Sequence, residues 1–221
     1  MELLPKAMVV GVFAAVQPGP SPVVTPEKIN RIWAELAPRQ GYRQLQLAPD
    51  GAGAQFFGST GDDGAAIQLP LLQVRTSIAT TSANAADEAQ FALKAMANHL
   101  NLTQFYTLGI RQWYHAPVAN NDARDFVLRR VLNKEEEDLV ALERGGGLWG
   151  AAKFGALAPD GSQYTISIEP FHADNRFIYV DVDAQIPGPA SLENVRDRAA
   201  EAAEYASRSV KEYLDRAEAA L

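Results

Sequence analysis

Two apolar segments, each broken by a single glycine, constrain the fold of this chain more than any other feature. They are Val10-Gly11-Val12-Phe13 and Leu108-Gly109-Ile110-Arg111, about 98 residues apart. Each reads as a long strand with glycine at the same place and a proline stop, Pro18 in one case and Pro117 in the other. The run Ala7 to Val16, closed by Gln17-Pro18-Gly19-Pro20, could pass for a signal peptide. Its leader MELLPK pairs Glu2 with Lys6 and lacks the net positive charge of such a segment. A buried strand is the better reading, and no run approaches the ~18 apolar residues of a membrane span. A cytoplasmic protein is expected.

Each strand leads into the same order of elements. Thr25-Pro26-Glu27 supplies an N-cap, an N1 proline and an acidic first turn, with Ile29, Ile32, Trp33 and Leu36 on one face. In the second half Asp122 is the expected cap, ahead of Phe126, Val127, Arg130 and Val131. Three strands come next in each half, near 43–48, 54–59 and 65–76, and near 148–157, 163–170 and 177–186. Asp50-Gly51, Gly61-Asp62-Asp63-Gly64, Pro159-Asp160-Gly161 and Ala173-Asp174-Asn175 separate them, with the residues that tight turns require. A helix closes each half, Asn84 to about Leu100 and Ser191 to about Ala219. The expected fold is α+β: an internally duplicated strand–helix–three strands–helix module, residues 1–101 and 102–221, in one compact pseudo-symmetric unit. Its antiparallel-rich sheet or sheets are covered by helices on one face.

The final helix is the clearest single element. Leu192, Val195, Ala199, Ala202, Ala206, Val210, Tyr213 and Ala217 recur at spacings of three and four. At 1.5 Å per residue it would reach ~42 Å. Its alanine seam suits close packing, either across the chain's own sheet, the preferred reading, or against another subunit. The charged run Lys134 to Asp138 reads as the first turn of a helix ending near Leu142.

Composition narrows the function classes. A chain of 221 residues, 47% apolar and 21% charged, has enough apolar residues for a packed core. Twenty basic against 27 acidic residues, a net charge of -7, argue against nucleic-acid binding. The absence of cysteine excludes disulfides, thiolate metal sites and cysteine nucleophiles, and three histidines leave little for a histidine-rich metal site. Gly145, Gly147 and Gly150 match G-x-G-x-x-G, but a helix precedes them and a strand comes after, the reverse of a dinucleotide loop. Gly145 reads instead as a helix C-cap. No cofactor and no catalytic residue are expected.

Two constellations remain. Arg111, Trp113 and His115 alternate along one strand and so share a face, opposite Ile110, Gln112 and Tyr114. Arginine beside tryptophan suits planar or anionic ligands and protein contacts. The competing reading packs Trp113 beneath the C-terminal helix. In Phe177–Asp183, Asp181 and Asp183 also share a face, and odd-length hairpins would set Lys153, Ser167 and Asp181 in one row, with Glu169 beside Tyr179. Glu169, Asp181 and Asp183 could hold Mg²⁺ or Ca²⁺ through oxygen, or the row is the solvated face of an antiparallel sheet.

The Gly109-Ile110-Arg111-Gln112-Trp113-Tyr114 strand, the Phe177–Asp183 strand and the closing helix together resemble a sporadically distributed family of uncharacterised bacterial proteins. That family has a G-x-R-Y type strand in mid-chain and an LD-x-D type strand before a final amphipathic helix. The resemblance covers about residues 104–215; Gln112-Trp113-Tyr114 after Arg111 and Tyr179-Val180 before Asp181 depart from the pattern. It implies the layout and no activity. The doubled layout also resembles bacterial effector-binding domains of the gyrase-inhibitor type, a likeness of fold only. The leading expectation is a non-catalytic interaction or assembly module, self-associating through Arg111, Trp113 and His115. The alternatives are a small-molecule sensor with ligand between the halves, and a carboxylate-based metal enzyme. No nucleic-acid or membrane partner is expected.

Overall fold

The computed structural model describes residues 1–14, 23–49, 53–58, 63–78, 81–135, 137 and 148–219. Nine strands form one open antiparallel sheet in the order β2-β3-β4-β5-β1-β6-β9-β8-β7. They are β1 (Leu4–Ala14), β2 (Gln44–Leu47), β3 (Gly53–Phe57), β4 (Gly64–Gln68), β5 (Leu71–Ser77), β6 (Phe105–Pro117), β7 (Ala152–Leu157), β8 (Gln163–Pro170) and β9 (Phe177–Ala190). The two glycine-marked strands, β1 and β6, are the central pair, and Gly11 lies directly opposite Gly109. On one side of that pair come β5, β4, β3 and β2, and on the other β9, β8 and β7. On both sides, strands later in the half lie nearer the centre. The fold is α+β, as expected.

Helix boundaries obey local chemistry. In α1 (Pro26–Gln40) Thr25 Oγ1 accepts the Lys28 N–H at 3.3 Å, and Gly41 ends the helix at φ 66°, a conformation glycine adopts without strain. α2 (Ser82–Leu100) is capped by Thr81 and ends on left-handed Asn101. Asp122 caps α3 (Ala123–Asp125), as its sequence position suggests, and the chain continues as a π-helical turn, Phe126–Val131. The C-terminal helix is one run of four pieces: a 3₁₀ turn (Leu192–Asn194), α4 (Val195–Tyr205), a π turn (Ala206–Val210) and α5 (Lys211–Ala219).

Two strand expectations need correction, and several others fall outside the described residues. The single strand at 65–76 is a hairpin, β4 and β5, turning at Leu69-Pro70. Proline has no N–H to give a central strand, so the chain reverses there, and the Pro70 carbonyl accepts the Ala14 N–H at 2.8 Å. The first half therefore holds four strands after α1 rather than three. The strand at 148–157 begins at Ala152. The helix to Leu142, the Gly145 cap, Gly147, the Pro18 stop and the turns at Asp50-Gly51 and Gly61-Asp62 lie outside the described residues.

The described helices cover one face of the sheet. Beneath them are two clusters of buried side chains. The first joins Val10, Val12, Leu72, Val74, Leu108 and Ile110 to α1, to α2 and to Val195, Ala199 and Ala202 of α4. The second joins Tyr114, Ile166, Ile168, Val180 and Val182 to Phe126 and Val127 and to Ala206, Val210, Leu214 and Ala217. The C-terminal helix thus packs within its own chain, as preferred, and crosses from one cluster to the other at its π turn.

Candidate functional site

The other sheet face carries the sequence-predicted residues. Along β6, Ile110, Gln112 and Tyr114 are buried under the helices, while Arg111, Trp113 and His115 face away from them. Trp113 therefore does not pack beneath the C-terminal helix, which corrects that alternative. Gln112 takes the place: its Nε2 donates to the Ala199 carbonyl of α4 at 3.0 Å, and its Oε1 accepts the Tyr114 hydroxyl proton. Burial pushes the Tyr114 hydroxyl pKa up, as expected of a phenol held as a donor.

Register across the open face matches the expected row. Lys153 is opposite Ser167, Ser167 opposite Asp181, and Glu169 opposite Tyr179. β6 extends this row, with Trp113 opposite Asp181 and Ala7 opposite Trp113. The next row runs Arg75, Val9, Arg111, Asp183 and Thr165.

Arg111 reaches diagonally to Asp181. Its Nε lies 2.9 and 3.0 Å from the two carboxylate oxygens and its Nη2 lies 2.5 Å from Oδ2, a bidentate fork. Asp181 is only 7% exposed, and this guanidinium is what lets a carboxylate be buried there. The hydrogen bond to Asp181 raises the Arg111 pKa, against the smaller effect of burial. Two guanidinium groups stand at the Trp113 ring: the Arg75 carbon is 4.9 Å from its centroid and the Arg111 carbon 5.3 Å. The indole N–H is buried with no hydrogen-bond partner among the described residues. Sequence reasoning placed Arg111 and Trp113 but missed Arg75. Its signal was available only through the pairing of β5 with β1, hidden by reading 65–76 as one strand.

His115 heads a separate aromatic group. Its ring is 4.1 Å from Phe171 and 6.2 Å from Tyr179. Burial, and then the charge of Lys6, lowers the His115 pKa. Burial, followed by Asp181, pushes Tyr179 up to about 12. The three carboxylates do not converge: Asp181 is held by Arg111, and Asp183 accepts the Gln185 side-chain N–H at 2.7 Å. Among the described residues no group of three or more histidine, aspartate or glutamate side chains stands close enough to share a metal ion. A depression of about 320 Å³ adjoins this face on the first half only, with Gln55, Phe57, Asp63, Gln73 and Arg75 among its walls.

No helix among the described residues is long and apolar enough to cross a membrane. No protein-family model, curated protein or solved structure matches this chain.

Proposed function

We propose that this chain is a non-catalytic cytoplasmic interaction module that self-associates through the open face of its sheet, centred on Arg111, Trp113 and His115. The observation that carries this reading is Trp113. A large aromatic side chain stands on the helix-free face, flanked by two arginines, with a desolvated N–H that has no acceptor among the described residues. That N–H is covered by its own chain, so a partner would meet the ring and the two guanidinium groups and not the donor itself. Tryptophan and arginine are also the residues that most often dominate protein contacts. The matched placement of Gly11 and Gly109 supports a further reading, that the two halves are copies of one module.

Light scattering over a concentration series tests the function. The expected result is a mass that is a multiple of 24.0 kDa, falling to the single-chain value for Trp113→Ala with unchanged far-UV circular dichroism. A single-chain mass for the native protein at every concentration overturns it.

A further inference from the structure

The open face carries a side-chain pattern complementary to itself. Across the β1–β6 seam, Arg75, Val9, Arg111 and Asp183 form one row. The next row is Gln73, Gly11, Gly109 and Gln185. Counted outward from the seam, Arg75 and Asp183 occupy the second strand on their respective sides, as do Gln73 and Gln185. Rotation by half a turn about an axis parallel to the seam exchanges the two sides. A second copy laid face to face about that axis therefore sets each Arg75 against the other's Asp183, and amide against amide.

At the centre of the pattern Gly11 and Gly109 add no side chains of their own at one level, and the Gln185 amide and Leu71 lie over them. On the other side of the Arg75–Asp183 row, Trp113 stands beside buried Ala7 with the Arg75 guanidinium at its ring, so it leans toward the seam. The two indoles of a pair would meet near the axis, where apolar anchors dominate binding. Facing sheets pack ~10 Å apart with strands at ~30°. Positions ~7 Å from the axis are displaced by that angle by ~4 Å, which an arginine side chain spans. We infer that the partner on the open face is a second copy of this chain, related by a twofold axis parallel to the β1–β6 seam, with Arg75 and Asp183 paired between copies. This inference rests on the open-face reading and adds the partner's orientation and the residues that set it.

Charge exchange tests it. Arg75→Asp and Asp183→Arg each place like charges opposite one another twice in a pair. Each variant alone is expected to raise the dimer dissociation constant about tenfold or more, and to scatter at 24.0 kDa where the native protein is a dimer. An equimolar mixture restores attraction between the exchanged groups, so it is expected to recover the dimer mass. Variants that associate singly as the native chain does, or a mixture that stays monomeric, overturn the pairing. Loss of association in Trp113→Ala would then still uphold the open-face reading, whereas a monomeric native chain overturns both.

A second measurement does not depend on the folding of the charge variants. The chain has no cysteine, so Gln73→Cys with Gln185→Cys reports contacts directly. Within one chain these positions are three strands apart, ~14 Å, and facing positions of two packed sheets are ~10 Å apart, both too far for a direct disulfide. A bismaleimide of ~10 Å span, matched to facing sheets, is expected to give a covalent dimer whose linked peptides contain residues 73 and 185. A dimer linked 73 to 73, or no covalent dimer from an associating protein, overturns the axis.

Discussion

Asp181 and His115 show how single residues on the open face are held. Asp181 is buried on a sheet face otherwise rich in polar groups, and the Arg111 fork compensates its lost hydration. Asp181→Asn is expected to cost about 1–2 kcal/mol in urea unfolding, discounted because the Arg111 guanidinium is half-exposed. An unchanged urea midpoint would show that water already satisfies the arginine. His115 gives a pH dependence with a defined sign. Its folded-state pKa lies below the usual histidine value, so as pH falls through that value the unfolded chain takes up the proton first. Its contribution to stability is complete above the ordinary pKa and declines as pH drops toward the folded one. The urea midpoint should therefore fall as pH drops below the ordinary histidine pKa of about 6.5, and His115→Phe should flatten that portion of the curve. A variant with the native slope would assign the effect elsewhere.

At the scale of elements, β6 and the C-terminal helix are fastened at one buried polar point. Gln112 lies between the two apolar clusters, tied to the Ala199 carbonyl and to the Tyr114 hydroxyl. Gln112→Leu leaves that hydroxyl without its acceptor and is expected to destabilise the fold by about 1–3 kcal/mol. Adding Tyr114→Phe removes the orphaned group, so the double variant should be more stable than the first single one. Thermal unfolding of the four proteins in the cycle measures the coupling, and strict additivity would deny it. The helix that meets this point changes winding soon afterwards. Val195, Ala199 and Ala202 serve the first cluster; Ala206, Val210, Leu214 and Ala217 serve the second. A π turn at Ala206–Val210 lies at the handover, where an added residue per turn re-aims the apolar stripe.

For the whole molecule, the first cluster draws on both halves of the chain, while every buried member of the second lies in residues 102–221, with Met1 and Leu3 packed against it. β6 and β9 run through both clusters, and so does the C-terminal helix. The expected consequence is one cooperative unfolding transition for the two sequence halves. Leu93→Ala in the first cluster and Ile168→Ala in the second should each cost about 2–5 kcal/mol and shift the same transition in calorimetry. Two resolved transitions, each moved by one variant, would show that the halves fold separately.

Much of this architecture could be read from the sequence because it is encoded by local chemistry. Threonine and aspartate caps set the starts of α1 and α3, alternation set the faces of β6 and β9, and turn residues at Asp160-Gly161 and at Ala173-Asp174-Asn175 fixed the Lys153–Ser167–Asp181 register. The alanine seam of the last helix marked the side it buries. Where the pattern was continuous but the chain was not, as at Leu69-Pro70, alternation misled and the turn was lost. The packing of the sheet settled what no local pattern holds. It brought Arg75 from β5 across β1 to Trp113, and it gave the helices to Gln112 and Tyr114 rather than to the indole. Side-chain alternation allots residues to two faces, but which face is covered depends on where distant helices find apolar surface, and only the tertiary structure decides that.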